Sequence, residues 1–79
     1  MINMVDSTTN LKALRAELGV TQEDFSYKAS IRIKTYRSAE WGKPVTNKTA
    51  QAILAGINNL RSEKGLQAVR MEDLGINLY

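Results

Sequence analysis

From residue 11 onward the apolar positions of the chain return at helical intervals. Leu11, Leu14 and Leu18 fall at i, i+3 and i+7, one face of a helix expected to run from about Ser7 or Thr8 to Leu18. Gly19 suits a left-handed C-cap. Thr21-Gln22-Glu23-Asp24 then has the spacing of a capping box, with Asp24 at the third helical position reaching back. Val20 and Phe25 stand at the two positions of a hydrophobic staple, so a second helix opens after Thr21 and runs to about Ala29. Ser30-Ile31 breaks the pattern. A third helix follows from Arg32 or Ile33 to Trp41, stopped by Gly42 and then Pro44. Thr46 caps a fourth, whose Ala50, Ile53, Leu54, Ile57 and Leu60 share one face and carry it to Glu63 before Gly65.

Beyond Gly65 the signal is weaker. Leu66, Val69, Met71, Leu74, Ile76 and Leu78 are interspersed with polar residues, and a helical turn signal spans Met71 to Leu74, which predicts a short fifth helix and an extended end. Strand-like alternation, internal repeats, low-complexity tracts and glycine-rich phosphate loops are not seen. The expected fold is all-α, four to five short helices around one core. Residues 1–6 read as a flexible tail, 7–64 as the helical domain, and 65–79 as a C-terminal extension whose apolar residues could form a dimer or partner surface.

Composition narrows the chemistry. The 79 residues suffice for one domain, and with no cysteine the fold must be held by packing rather than by disulfides or thiolate-bound metal. A cytoplasmic setting fits. The absence of histidine removes the commonest general acid-base group and metal ligand, so neither an enzyme, a metal nor a cofactor is expected. The start, Met-Ile-Asn-Met-Val-Asp, has no basic segment followed by an apolar one, and the longest apolar segment, Ala52 to Ile57, is far too short to span a bilayer. No membrane partner is expected.

Charge placement says more than the net +3. Residues 28–48 hold Lys28, Arg32, Lys34, Arg37, Lys43 and Lys48 against Glu40 alone, a local charge of +5, while the rest of the chain sums to −2. Such a basic middle suggests a surface that faces a polyanion.

Two short helices joined by a tight turn, flanked by amphipathic helices and basic on the second of the pair, form the arrangement of a DNA-binding helix-turn-helix. The run LKALRAELGVTQEDFSYKASIRIKTYRSAEWGKPV, residues 11–45, resembles the XRE family, which includes the lambdoid phage repressors and Cro proteins. The pieces that carry the resemblance are Leu14-Arg15, Gly19-Val20-Thr21-Gln22, Phe25, Ala29, and Glu40 followed by Gly42, at family spacing without a gap.

The resemblance implies a lambda-repressor-like domain and a role for each matched position. Gln22, at the first turn of the second helix, would contact a DNA phosphate. Ile33, Lys34 and Ser38, with Arg32 and Arg37 beside them, would read bases. Lysine can donate to guanine O6 and N7, isoleucine can pack on a thymine methyl, and the arginines can take bases or phosphates. Lys43, Thr46, Asn47 and Lys48 would meet the sugar-phosphate backbone. Arg15 and Glu40 match a structural salt bridge between the first and third helices. Trp41 could lie against the DNA backbone, cover the fourth helix, or help a dimer contact.

Four departures from the family pattern stand out. Ser30 replaces a frequent glycine in the turn, and Arg32 replaces a capping serine or threonine. Tyr36 replaces a smaller buried aliphatic residue beside an unusually small Ala39, so the two either compensate in volume or Tyr36 lifts its hydroxyl to the groove. The leading expectation is a repressor-type regulator that binds double-stranded DNA as a homodimer on paired half-sites. The alternative is an antitoxin or other protein-binding module that holds its partner through residues 66–79 and binds DNA only for autoregulation.

Overall fold

The computed structural model describes residues 9–79, so the expected tail at 1–6 lies outside the described residues. Five helices follow in order: α1 Leu11–Leu18, α2 Gln22–Ala29, α3 Ile33–Trp41, α4 Asn47–Glu63 and α5 Met71–Leu74. The described part is all-α, with the number of helices the apolar pattern predicts.

Helix α1 runs from Leu11; Ser7 and Thr8, where its start is expected, lie outside the described residues. Thr9 is held outside the helix because its amide donates to the Glu40 carbonyl at 3.0 Å, and its hydroxyl accepts the Leu11 amide at 3.3 Å. The other local signals act where the sequence puts them. Gly19 and Gly42 close α1 and α3 in left-handed conformation, and the hydroxyls of Thr21 and Thr46 accept the amides of Asp24 and Thr49. Only this half of the expected box at Thr21 forms; Asp24 makes no return bond.

Helix α4 packs against α1, α2 and α5, and its Ala50, Ile53 and Ile57 are buried among Leu11, Leu18, Phe25, Tyr36, Ala39, Val45 and Leu74. The Phe25 and Tyr36 rings meet at 5.0 Å between centroids, tilted by 48°. Gly56 lets α2 approach α4, since a β-carbon there would lie 2.9 Å from the Phe25 ring.

The turn between α2 and α3 comprises Ser30, Ile31 and Arg32. Ser30 takes the left-handed conformation (φ 60°) that a glycine would supply, at a cost of about 1–2 kcal/mol for a residue with a β-carbon. The missing glycine therefore adds strain without preventing the turn. Amides of Ser30 and Ile31 return to the carbonyls of Tyr27 and Ser26 at 3.1 and 3.0 Å, and Ile31 packs on the core.

Residues 65–79 fold back onto the same core. The Asn58 side-chain amide clasps the Val69 backbone from both sides, at 3.0 and 2.8 Å, and Asp73 caps α5 through the Arg70 amide at 2.8 Å. Leu74 is fully buried, and Val69, Met71 and Ile76 pack against the core. The expected extended end pairs with Val45 in an isolated parallel bridge: the Val45 amide donates to the Asn77 carbonyl at 2.9 Å and the Tyr79 amide to the Val45 carbonyl at 3.1 Å. Of the segment's apolar residues, Val69, Met71, Leu74 and Ile76 serve the chain's own core, and Leu66 and Leu78 are exposed. Among the described residues no helix is long and apolar enough to cross a membrane.

Candidate nucleic-acid interface

One buried carboxylate fixes how the first three helices meet. Glu40 on α3, almost wholly buried, receives Arg15 Nε of α1 and the Tyr36 hydroxyl on Oε2, both at 2.6 Å, and Gln22 Nε2 of α2 on Oε1 at 2.9 Å. Arg15 also donates to the Val20 carbonyl at 2.8 Å, which ties α1 to the residues leading into α2. Burial by itself would raise the Glu40 pKa. The hydrogen bonds from Arg15, Tyr36 and Gln22 outweigh it and hold the carboxyl below its ordinary value. Burial first, and then the bond to Glu40, push the Tyr36 hydroxyl well above its ordinary value, while the bond to Glu40 raises Arg15. Tyr36 thus points inward and not to a groove, and it is buried together with Ala39 in the core.

With Tyr36, Ala39 and Glu40 turned in, α3 presents its other residues outward. Arg32, Lys34 and Arg37 are exposed, and Ile33, Thr35 and Ser38 are half-buried between them. Arg32 occupies the N-cap position but gives no side-chain cap, as expected where serine or threonine is replaced. Arg37 is partly tethered, with Nε donating to Gln22 Oε1 at 3.2 Å and Nη2 lying 3.9 Å from Glu23. The Lys34 ammonium has no hydrogen-bond or ion-pair partner among the described residues. Ser38 donates its hydroxyl to the Lys34 carbonyl at 3.2 Å, so what it offers outward is an acceptor. Gln22 is held at both ends of its amide, with one amide hydrogen left for an outside acceptor.

From Gly42 to Val45 the link from α3 to α4 has little backbone to offer an anion. Amides of Gly42, Lys43 and Val45 donate to the carbonyls of Ala39, Ser38 and Asn77, and Pro44 has no amide hydrogen. Beyond it the amides of Thr46, Asn47 and Lys48, at the start of α4, donate to no acceptor among the described residues, and the side chains of Lys43, Asn47 and Lys48 are all exposed. Thr46 is exposed as well; its hydroxyl accepts from the Thr49 amide and donates to Thr49 Oγ1 at 3.1 Å, which leaves the second hydroxyl proton on Thr49. Trp41 is 62% exposed and lines a shallow recess with Lys12, Gln22 and Glu40, so it does not cover α4.

Positive charge gathers at this side. Glu40 is enclosed and paired, so the segment from Lys28 to Lys48 shows solvent six cations and no exposed acid. Exposed Glu23 and Asp24 border it at the start of α2, Glu17 pairs with Arg61 at 2.8 Å, and Glu63, Glu72 and Asp73 sit on the end of α4 and on α5 among Lys64 and Arg70. Along α4, Lys48 and Glu63 are separated by roughly 22 Å at 1.5 Å per residue, well beyond a screening length of about 8 Å at physiological salt.

The sequence reading missed three participants. Thr35 and Thr49 line two adjoining clefts between α3 and the start of α4, one with Arg32 and Lys48, the other with Ser38, Thr46 and Tyr79. Thr35 precedes Ser38 by three residues and Thr49 follows Thr46 by three, a spacing that marks one helix face and was available in the sequence. Tyr79 carried no such signal, because its place depends on the bridge to Val45. A scan of the chain against protein-family models, curated proteins and solved structures finds no match.

Proposed function

We propose that this protein is a sequence-specific double-stranded DNA-binding regulator of repressor type that reads the major groove with α3. The observation that carries the reading is the division of α3 into two faces. Its inner face is locked by Glu40 to Arg15 and Gln22, and its outer face carries Arg32, Lys34 and Arg37 beside Lys43 and Lys48. A rigid helix with cations outward suits a groove about 12 Å wide that displays acceptors on guanine. The resemblance of residues 11–45 to XRE helix-turn-helix domains supports the same roles. Base reading falls to Lys34, Arg32, Ile33 and Arg37, with Ser38 as an acceptor, and backbone contact to Gln22, Lys43, Thr46, Asn47 and Lys48. The protein acts in the cytoplasm as a binding protein without a cofactor, with two copies on paired half-sites, because one helix covers too few base pairs to select a genomic site.

Selection from a random duplex library at two salt concentrations tests this. The expected product is a site of paired half-sites about one helical turn apart. Lys34→Ala should relax one base preference by about 1–3 kcal/mol, whereas Lys48→Ala should weaken all sequences alike and lower the salt slope by about one. Uniform retention with no enriched sequence would reduce the face to a non-specific polyanion patch. The antitoxin alternative has less to draw on, since the tail it would use is already folded against α4 and Val45.

A further inference from the structure

Tyr79 is held in place by backbone bonds yet its side chain packs on nothing. Its amide donates to the Val45 carbonyl at 3.1 Å, two residues after Asn77 is fixed on either side of the same loop: its carbonyl accepts the Val45 amide at 2.9 Å, and its side-chain amide donates to the Gly42 carbonyl at 2.6 Å. Residues 77–79 thus form a strap across the link between α3 and α4. The Tyr79 side chain is 89% exposed, and it borders a cleft whose other walls are Thr35 and Ser38 of α3 and Thr46 and Thr49 of α4. Its hydroxyl has no hydrogen-bond partner among the described residues.

From this placement we infer that Tyr79 is a DNA-backbone contact, its hydroxyl donating to a phosphate oxygen on the strand that borders the groove occupied by α3. The inference rests on the duplex-binding reading above and adds to it a contact from the far end of the chain. Three features point to a phosphate rather than a base. The strap lies beside α3 and not on it, Lys48 lines the adjoining cleft, and the amides of Thr46, Asn47 and Lys48 at the start of α4, whose Thr46 and Thr49 wall the Tyr79 cleft, are left without an acceptor among the described residues, as at a helix N-terminus that receives an anion. A phenol suits the position because its ring can lie along a deoxyribose while the hydroxyl reaches the charged oxygen.

The test uses the full chain and the duplex selected by the wild type. Tyr79→Phe and Tyr79→Ala are compared with wild type for affinity at several salt concentrations and for interference by phosphate ethylation, with circular dichroism to verify the fold. The side chain is exposed, so both variants should fold as wild type does. Both should bind about tenfold more weakly on matched and mismatched sites alike, the loss expected when one bond to a charged oxygen is removed. Because tyrosine carries no charge, the salt slope should stay at the wild-type value, and one phosphate sensitive to ethylation in the wild type should become insensitive in Tyr79→Phe. Wild-type affinity in both variants would overturn the contact and leave the α3 reading standing. A loss in Tyr79→Ala alone would overturn the hydroxyl as donor. Failure of the wild type to bind any duplex would overturn the reading beneath it as well.

Discussion

Glu40 is the one acid in the basic middle of the chain, and enclosing it changes what that stretch shows to solvent. Removing it strands Arg15, so Glu40→Ala should cost about 3–5 kcal/mol in urea unfolding, and a loss of DNA binding in that variant would report unfolding rather than a lost contact. The same cluster sets the pH dependence. Glu40 is held below its ordinary value, so its contribution is present above the unfolded carboxyl value of about 4.3 and is lost as pH falls through the lower folded one. Tyr36 is displaced upward, so its contribution is intact below the ordinary phenol value of about 10 and declines as pH rises past it. Unfolding midpoints measured from pH 3 to pH 11 should fall at both ends. Glu40→Gln should flatten the acid arm and Tyr36→Phe the alkaline arm, and an alkaline arm unchanged in Tyr36→Phe would contradict the assignment. The Arg15–Glu40 pair was legible through the family resemblance. The Tyr36 hydroxyl was not, although Tyr36 and Glu40 stand four residues apart on one helix, because an inward tyrosine needs a buried partner whose burial only the tertiary fold decides.

Helix ends were readable where the signal is local and unreadable where it is not. Thr21, Thr46, Gly19 and Gly42 each act within a few residues, and the elements they bound fall where the pattern puts them. The start of α1 depends on Thr9 meeting the Glu40 carbonyl, a contact between distant parts of the chain, and periodicity carries no trace of it. Arg32 shows a conflict at this scale. Its backbone has the extended conformation of an N-cap, but its side chain caps nothing, leaving the first amides of α3 without that acceptor. Arg32→Ser should therefore raise the unfolding free energy by about 0.5–2 kcal/mol while weakening duplex binding. Calorimetry and a binding titration on the same variant check both halves. A variant that gained stability with unchanged affinity would remove Arg32 from the interface.

Over the whole molecule, the two ends of α4 differ in charge. Exposed cations without exposed acids occupy 28–48, around α3 and the start of α4, whereas the end of α4 and α5 mix Glu63, Glu72 and Asp73 with Lys64 and Arg70, so the α3 side is the one favoured to face a duplex. Its Cα extents of 33 × 28 × 21 Å do not exceed the roughly 34–36 Å between half-sites one turn apart, so the size of the domain is compatible with the two-copy arrangement proposed above. The C-terminal segment was the least legible part, because an apolar run does not say whose surface it covers. Leu74 and Ile76 cover the chain's own core, and by doing so bring Tyr79 beside α3. Mapping backbone amide shifts on addition of the selected duplex would test the central claim most directly. Shifts concentrated at 22, 32–38, 43, 46–49 and 79, with Glu17 and residues 60–66 unmoved, are the predicted result. Shifts confined to the 60–74 side, or none at saturating duplex, would contradict it.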